Sequence, residues 1–178
     1  MMADPEGNEF CLVLERRGEP PGPRILGSTE GSTVELAAMG VRFMVGGEDS
    51  LGGFALVEHP IPPRHLAAPV HRHSREDEYS YVLEGRMGAL LGDDVVFAEA
   101  GDLAFKPRDQ WHTFWNAGDE PCRILEIISP AGFERYFAEI ADAAPGSRPE
   151  IGARYGLEVD FERVAGLCEE HGLWFPTA

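Results

Sequence analysis

Two histidines, His71 and His73, stand one residue apart in the stretch HRHSREDEYSYVLEG, residues 71–85. In an extended strand residues i and i+2 share a face, so both imidazoles project together while Arg72 points away. Two imidazoles at that spacing can reach one metal ion, at about 2.0–2.1 Å per Zn–N bond. Three acidic side chains follow, Glu76, Asp77 and Glu78. Strand parity cannot be carried through the turn-like SRED, so geometry does not choose among them. If EYSYVLEG is one strand, Glu78, Ser80 and Val82 share one face and Tyr79, Tyr81 and Leu83 the other. The first set is small and polar and suits a site, with Ser80 as a candidate pocket residue. The second is bulky and suits packing against another layer. A further stretch, GDLAFKPRDQWHTFWN at 101–116, sets His112 among Trp111, Phe114 and Trp115. Taken by itself, His112 reads as a hydrogen-bonded core histidine. Phe114 shares its parity and is a second pocket candidate, although simple core packing explains both Phe114 and Ser80 equally well.

Short runs closed by turn residues must hold these side chains. Glycine (21) and proline (14) make up nearly a fifth of the chain and are spread throughout, which favours many short strands over a helical bundle. TVELAAMG (33–40), VRFMVGG (41–47) and FALVEH (54–59) are strand-length runs, and HPIPPRHLAAP (59–69) reads as a Pro-rich crossing over an edge. Beyond it, DEYSYVLEG, RMGALLG, DVVFAEAGD, LAFKP, WHTFWNAGDEP and CRILEIISP are each β-prone and closed by Gly, Pro, Asp or Asn, with GDD at 92–94 as a hairpin turn. Residues about 30–130 therefore predict a dense antiparallel all-β domain, a sandwich, barrel or jelly roll. After Pro130 the period changes. Phe133, Tyr136, Phe137 and Ile140 fall at helical spacing, and Phe161, Val164, Leu167 and Cys168 form a second apolar stripe. Asp160 suits the N-cap of that second helix and Gly172 its end. PGSRPEIGARYGLE, between the two, predicts a short helical turn. The organisation expected is a β domain over 1–130, with residues 1–8 as a mobile leader, and a helical extension over 131–178 packing on it. The outer face of the β domain is the obvious surface for that extension, but a lid over its mouth stays open.

The two histidine stretches together resemble the cupin superfamily. Its first motif has the form G-x5-H-x-H-x(3,4)-E-x6-G, and the chain matches it with His71, His73, Glu78 and Gly85, in register throughout. The second has the form G-x5-P-x-G-x2-H-x3-N, matched by Gly101, Pro107, His112 and Asn116. Both departures fall on glycines: His65 stands at the leading position of the first motif and Asp109 at the inner position of the second. They bear on turn geometry rather than coordination, and Asp enters a positive-φ turn more readily than most residues. The fifteen residues between Gly85 and Gly101 suit the spacing of a small microbial single-domain cupin.

The resemblance implies an all-β, double-stranded β-helix (jelly-roll) barrel with C-terminal α-helices. It implies one divalent transition metal (Fe, Mn, Ni, Co, Cu or Zn) held by His71, His73, Glu78 and His112, a donor set that does not select among those ions. The leading functional expectation is a quercetinase-like dioxygenase acting on a metal-chelating enol or aromatic small molecule, with Glu78 as the catalytic proton acceptor. The alternatives are a non-redox, metal-dependent isomerase or polyketide-cyclase-like cupin, and a non-catalytic cupin that binds a small ligand. A homodimer is common in this superfamily. Tyr79, Tyr81 and Trp115, outward by parity, would then be buried at a dimer interface or under the terminal segments.

The remaining candidates have plainer readings. His59 and His171 read as structural or solvated, His65 as a loop residue near the site mouth, and Glu76 and Asp77 as turn charges. Fifteen Lys and Arg against 31 Asp and Glu leave a formal charge of −16, a field that repels phosphate backbones and anionic lipid. Nucleic acid and membrane are accordingly not expected partners. No run approaches the length of a membrane span, and MMADPEGNEF lacks the basic and apolar regions of a secretory signal. Cys11, Cys122 and Cys168 are far apart in apolar surroundings and read as small core residues of a cytoplasmic protein.

Overall fold

The computed structural model describes residues 22–176 and a short strand pair, β1 (Met2–Ala3) with β2 (Glu9–Phe10). Apart from those strands, the residues read as a mobile leader, and Cys11 with them, lie outside the described residues. Ten strands follow in unbroken succession: β3 (Thr33–Leu36), β4 (Met39–Val45), β5 (Ala55–Ile61), β6 (Val70–His73), β7 (Asp77–Glu84), β8 (Arg86–Leu91), β9 (Asp94–Glu99), β10 (Leu103–Lys106), β11 (His112–Asn116) and β12 (Cys122–Ser129). Then come α1 (Glu134–Ala141), α2 (Arg148–Arg154), β13 (Leu157–Asp160) and α3 (Glu162–His171). Two antiparallel sheets, ordered β10-β7-β12-β5-β4-β3 and β13-β6-β11-β8-β9, enclose one core. This is the double-stranded β-helix with C-terminal helices that the motifs implied.

Period-two alternation builds the interior. In β12 the buried set is Cys122, Ile124, Glu126 and Ile128, and in β7 it is Glu78, Ser80 and Val82. Each large apolar side chain so buried contributes about 1.5–3 kcal/mol. The inner row is therefore mostly apolar, and the carboxylates in it are the exceptions that need partners. Tyr79 and Tyr81 lie on the outer face beside Phe105 and Leu103 of β10, and Tyr81 stays 39 % exposed.

Several boundaries differ from the sequence reading. TVELAAMG is broken by a turn at Ala37–Ala38, and β4 begins at Met39. The Pro-rich crossing starts later than expected, because β5 continues through Pro60 to Ile61. Pro60 lies past the last β5 residue paired with β4, where its missing N–H costs no ladder bond on that side. β13 was not anticipated: four residues with mixed polarity become a strand only because β6 offers them an edge.

The C-terminal elements divide their work. Phe133, Tyr136, Phe137 and Ile140, the stripe predicted for the first helix, turn toward the barrel mouth and not toward its outer face. Helix α3 covers the outside of the five-stranded sheet, where Val164, Leu167 and Cys168 pack on Leu66, Val70, Leu90 and Trp115. Trp115, outward by parity, is thereby only 1 % exposed, with His171 stacked on it at 4.9 Å. Phe161, assigned to the same stripe, precedes the first helical residue and is 64 % exposed. Asp160 Oδ1 accepts from the Glu162 N–H at 3.0 Å, a capping contact, and Gly172 closes the helix in the left-handed conformation. Cys122 and Cys168 are free thiols packed in the two apolar clusters. Among the described residues no helix is long and apolar enough to cross a membrane.

Trp115 reaches under its own sheet to meet Gly88 on β8. A Cβ built on Gly88 would stand 2.2 Å from the indole, so a methyl group cannot enter without moving that ring. Gly88→Ala is expected to cost about 3 kcal/mol by overpacking, read as a lower urea midpoint with an unchanged m-value. A wild-type midpoint would show that α3 and Trp115 do not press on this sheet.

Candidate metal centre

Three strands deliver the four donor residues. His71 and His73 project from β6, His112 comes from β11 and stands in Cα register with His71, and Glu78 is the second residue of β7. β6 and β11 belong to the five-stranded sheet and β7 to the six-stranded one, so the cluster straddles both. The chain changes sheets across Ser74–Glu76, which is why strand parity could not be carried from the histidines to the carboxylate. One donor atom from each of His71, His73, Glu78 and His112 lies within 4.8 Å of all the others, and all four residues are buried. The group could hold a metal ion.

The second motif clamps this arrangement. Asp109 occupies the left-handed region at φ 63°, as its place at a glycine position required, and its N–H donates to His73 O at 2.7 Å. Arg108 donates from its backbone N–H, Nε and Nη2 to Asp77, so this turn charge also tethers the second motif to the first. Asn116 donates to Ile61 O at 3.0 Å and Glu120 O at 2.8 Å, fixing the turn beyond β11. At the end of the first motif Gly85 has φ +78°, and a Cβ there would fall 2.7 Å from Pro121 O. Only glycine fits that corner.

The donors themselves fit a metal. His71 Nδ1 lies 2.7 Å from Pro69 O and His112 Nδ1 lies 2.9 Å from Gln110 O. Each carbonyl can accept only an N–H, so both rings take the tautomer that frees Nε2. His73 has neither nitrogen hydrogen-bonded although the ring is 1 % exposed, and a buried imidazole left so is costly unless something coordinates it. Behind His73, Glu76 is buried, with Oε2 4.0 Å from Nδ1. Glu76, expected as a turn charge, lies in the turn but is buried there, and burial raises its pKa. Burial and the neighbouring histidines hold His71 well below the usual imidazole pKa; burial lowers His112 too. Burial would raise Glu78, but His73 and Lys106 beside it hold it well below the carboxylate range.

A second layer of charge, absent from the sequence reading, lies deeper in the barrel. Lys106 Nζ is 3.0 Å from Glu78 Oε2 and 3.0 Å from Glu126 Oε1, close ion pairs without hydrogen-bond alignment toward either. Ser80 Oγ donates to Glu126 Oε2 at 2.7 Å. Burial pushes Glu126 up to about 7 against the pull of Lys106, whereas the two carboxylates outweigh burial and raise Lys106. The alternation CRILEIIS carried the missed signal: a Glu in register with Cys122, Ile124 and Ile128 had to be buried.

The cluster opens on a cavity of about 180 Å³. His71, Glu78, Glu126 and His59 supply its polar floor. Its walls are apolar and largely aromatic: Phe114 with Phe133, Tyr136, Phe137, Met39 and Leu157. Phe133 stands edge-on to His73 at 4.2 Å. Ser80 does not line the cavity but holds Glu126, which does. His65 does not line the cavity either; its ring meets Trp174 at 4.5 Å, tilted by 46°.

A double-stranded β-helix with this cluster inside it is a cupin-like arrangement, and residues 58–128 match the family model described as Cupin domain. It is 29 % identical over 83 residues to the polyketide synthase protein CurC of Streptomyces cyaneus, covering 47 % of this chain and 54 % of that one. It is 33 % identical over 60 residues to the tetracenomycin polyketide synthase protein TcmJ of Streptomyces glaucescens, covering 34 % and 40 %. The chain thus spans about half the length, or less, of the curated relatives it matches. Among solved structures, the polyketide cyclase RemF of Streptomyces resistomycificus superposes with a TM-score of 0.53 at 26 % identity, over 61 % of this chain and 80 % of that one.

His59, read from sequence as structural or solvated, is 1 % exposed, with Nδ1 3.1 Å from Gly40 O, and burial lowers its pKa to about 4. Unfolded, the ring takes up a proton below about pH 6.5; folded, it resists until about pH 4. Acidification through that window therefore favours the unfolded chain, by about 3 kcal/mol in total. His59→Asn, which keeps a donor toward Gly40, is expected to lose correspondingly less stability than the wild type between pH 6.5 and 4 in urea titrations. Parallel pH profiles would refute the neutral buried ring.

Proposed function

We propose that this protein is a metal-dependent, non-redox enzyme of polyketide-cyclase-like type, acting on an enolisable aromatic small molecule. The observation that carries this reading is a buried His71, His73, Glu78, His112 cluster that reaches, through His71 and Glu78, a cavity walled by aromatic side chains. Similarity to CurC, TcmJ and RemF supports it over the dioxygenase expected from the motifs.

A divalent ion held by the four residues supplies Lewis acidity toward a substrate oxygen. The protein's own groups do the rest. Phe133, Phe137 and Phe114 offer flat apolar surfaces to an aromatic body and exclude water, which strengthens every polar contact at the floor. The Nδ1–H bonds of His71 and His112 fix their rings before any ligand arrives, so little reorganisation is needed on binding. Glu78 keeps its charge among three histidines and Lys106.

A quercetinase-like dioxygenase is the second reading, favoured by the three-histidine, one-carboxylate donor set, which also suits redox-active ions. An oxygen electrode separates the two. Protein reconstituted with Zn(II), Ni(II) or Fe(II) and given flavonols and β-diketones is expected to convert substrate with no O₂ consumed; stoichiometric O₂ uptake would establish the oxygenase instead. His71→Ala and His112→Ala should each lower metal affinity about 10–100-fold or more while the barrel stays folded by circular dichroism. Unchanged metal content in both variants would overturn the assignment.

A further inference from the structure

We propose that Glu126 is the proton-transfer residue of this site, acting on the α-carbon of an aromatic ketone or β-polyketone seated in the cavity. The inference rests on the metal-dependent reading above and departs from the motif-based expectation that Glu78 takes the proton. The geometry separates the two carboxylates. Glu78 sits among the candidate metal donors, with His73 Nε2 3.3 Å from Oε1 and Lys106 Nζ 3.0 Å and His112 Nε2 3.2 Å from Oε2. Glu126 lines the same cavity, is 1 % exposed, and has one oxygen, Oε1, with no hydrogen-bond donor aligned on it.

Its surroundings suit the task. Ser80 Oγ–H holds Oε2 at 2.7 Å and fixes the plane of the carboxylate. Lys106 stands between Glu126 and Glu78, 3.0 Å from each, and lies 4.6 Å over the Phe114 ring. This fully buried cation compensates the negative charge of both carboxylates, so the site can hold a base next to a ligating carboxylate without like-charge repulsion driving one of them out. A pKa pushed by burial to about 7 agrees with a group that takes and returns protons near neutrality.

The α C–H bond of the ketone breaks, its proton forms an O–H bond on Glu126, and the C–H electron pair becomes the new C=C bond as the carbonyl π pair moves to oxygen. Return of a proton from Glu126 to the carbon restores the ketone; attack of the same carbon on a second carbonyl would form the ring bond of a cyclisation. No oxidant or reductant enters.

The probe is ortho-hydroxyacetophenone, an aromatic chelating ketone whose methyl protons exchange slowly in D₂O. With Zn(II)-loaded full-length protein, methyl deuteration followed by proton NMR is expected to be accelerated over Zn(II) and buffer. Glu126→Gln should lower that acceleration about 100-fold with metal content and melting curve retained, and Glu126→Asp should recover part of it. Acceleration equal to wild type in a metal-loaded Glu126→Gln would overturn the inference, as would a metal-loaded wild type that does not accelerate exchange. Either result leaves the metal assignment standing, whereas wild-type protein that takes up no Zn(II) sinks the underlying reading itself. Should Glu126→Gln not fold, Ser80→Ala decides: exchange about tenfold slower at full metal content supports the role, and an unchanged rate overturns it.

Discussion

Charge placed inside an apolar barrel must be neutralised where it stands. Glu78, Lys106 and Glu126 are each at most 3 % exposed, and an isolated ion in their place would cost several kcal/mol. The three form an alternating series, carboxylate, ammonium, carboxylate, across neighbouring inner rows of the six-stranded sheet. That series leaves one negative charge in excess, and the histidines on the facing strands stand next to it. A divalent cation among those donors would meet that excess negative charge directly. The cluster is thus the point where two sheets meet through charge, within a core otherwise closed by Val57, Val82, Ile124 and Ile128.

The cavity above it is a joint product of barrel and extension. The barrel contributes the polar floor and Phe114; the segment from Phe133 to Ala141, with Leu157 and Val159, contributes much of the apolar wall. Aromatic rings stack on one another there, Phe133 on Tyr136 at 4.9 Å and edge-on to Phe137 at 5.4 Å. This gives a rigid wall at low conformational cost. Donor chemistry and cavity shape therefore sit on different stretches of the chain, joined through the contact of Phe133 with His73.

How much could be read from the sequence follows from the range of the forces involved. Period-two alternation and turn residues are local, so most strands, the GDD hairpin and both main helices were legible, as were His71, His73, Glu78 and His112 through their motif spacing. Asp109 was legible as a positive-φ residue for the same reason. Lys106 and Glu126 belong to no motif; each is one polar residue in an apolar row, and only the pairing of β10, β7 and β12 makes them neighbours. His59 looked ordinary because Pro60 beside it suggested a loop. The direction of the α1 face was not legible at all, since an amphipathic stripe states that a surface is covered without saying which.

The histidine strand β6 has only four residues and is flanked by β11 on one side and β13 on the other. Its outer partner arrives late: Ser74 bonds to Gly156 O across 82 residues of chain. Loop-closure entropy and synthesis order both place this pairing after the rest of the barrel. During biosynthesis the donor residues therefore spend an interval on an open strand edge, able to meet metal ions or other chains before β13 arrives. Closing that edge is the last act of making the site, and a chain released before residue 157 would carry all four donors without the strand that seals them.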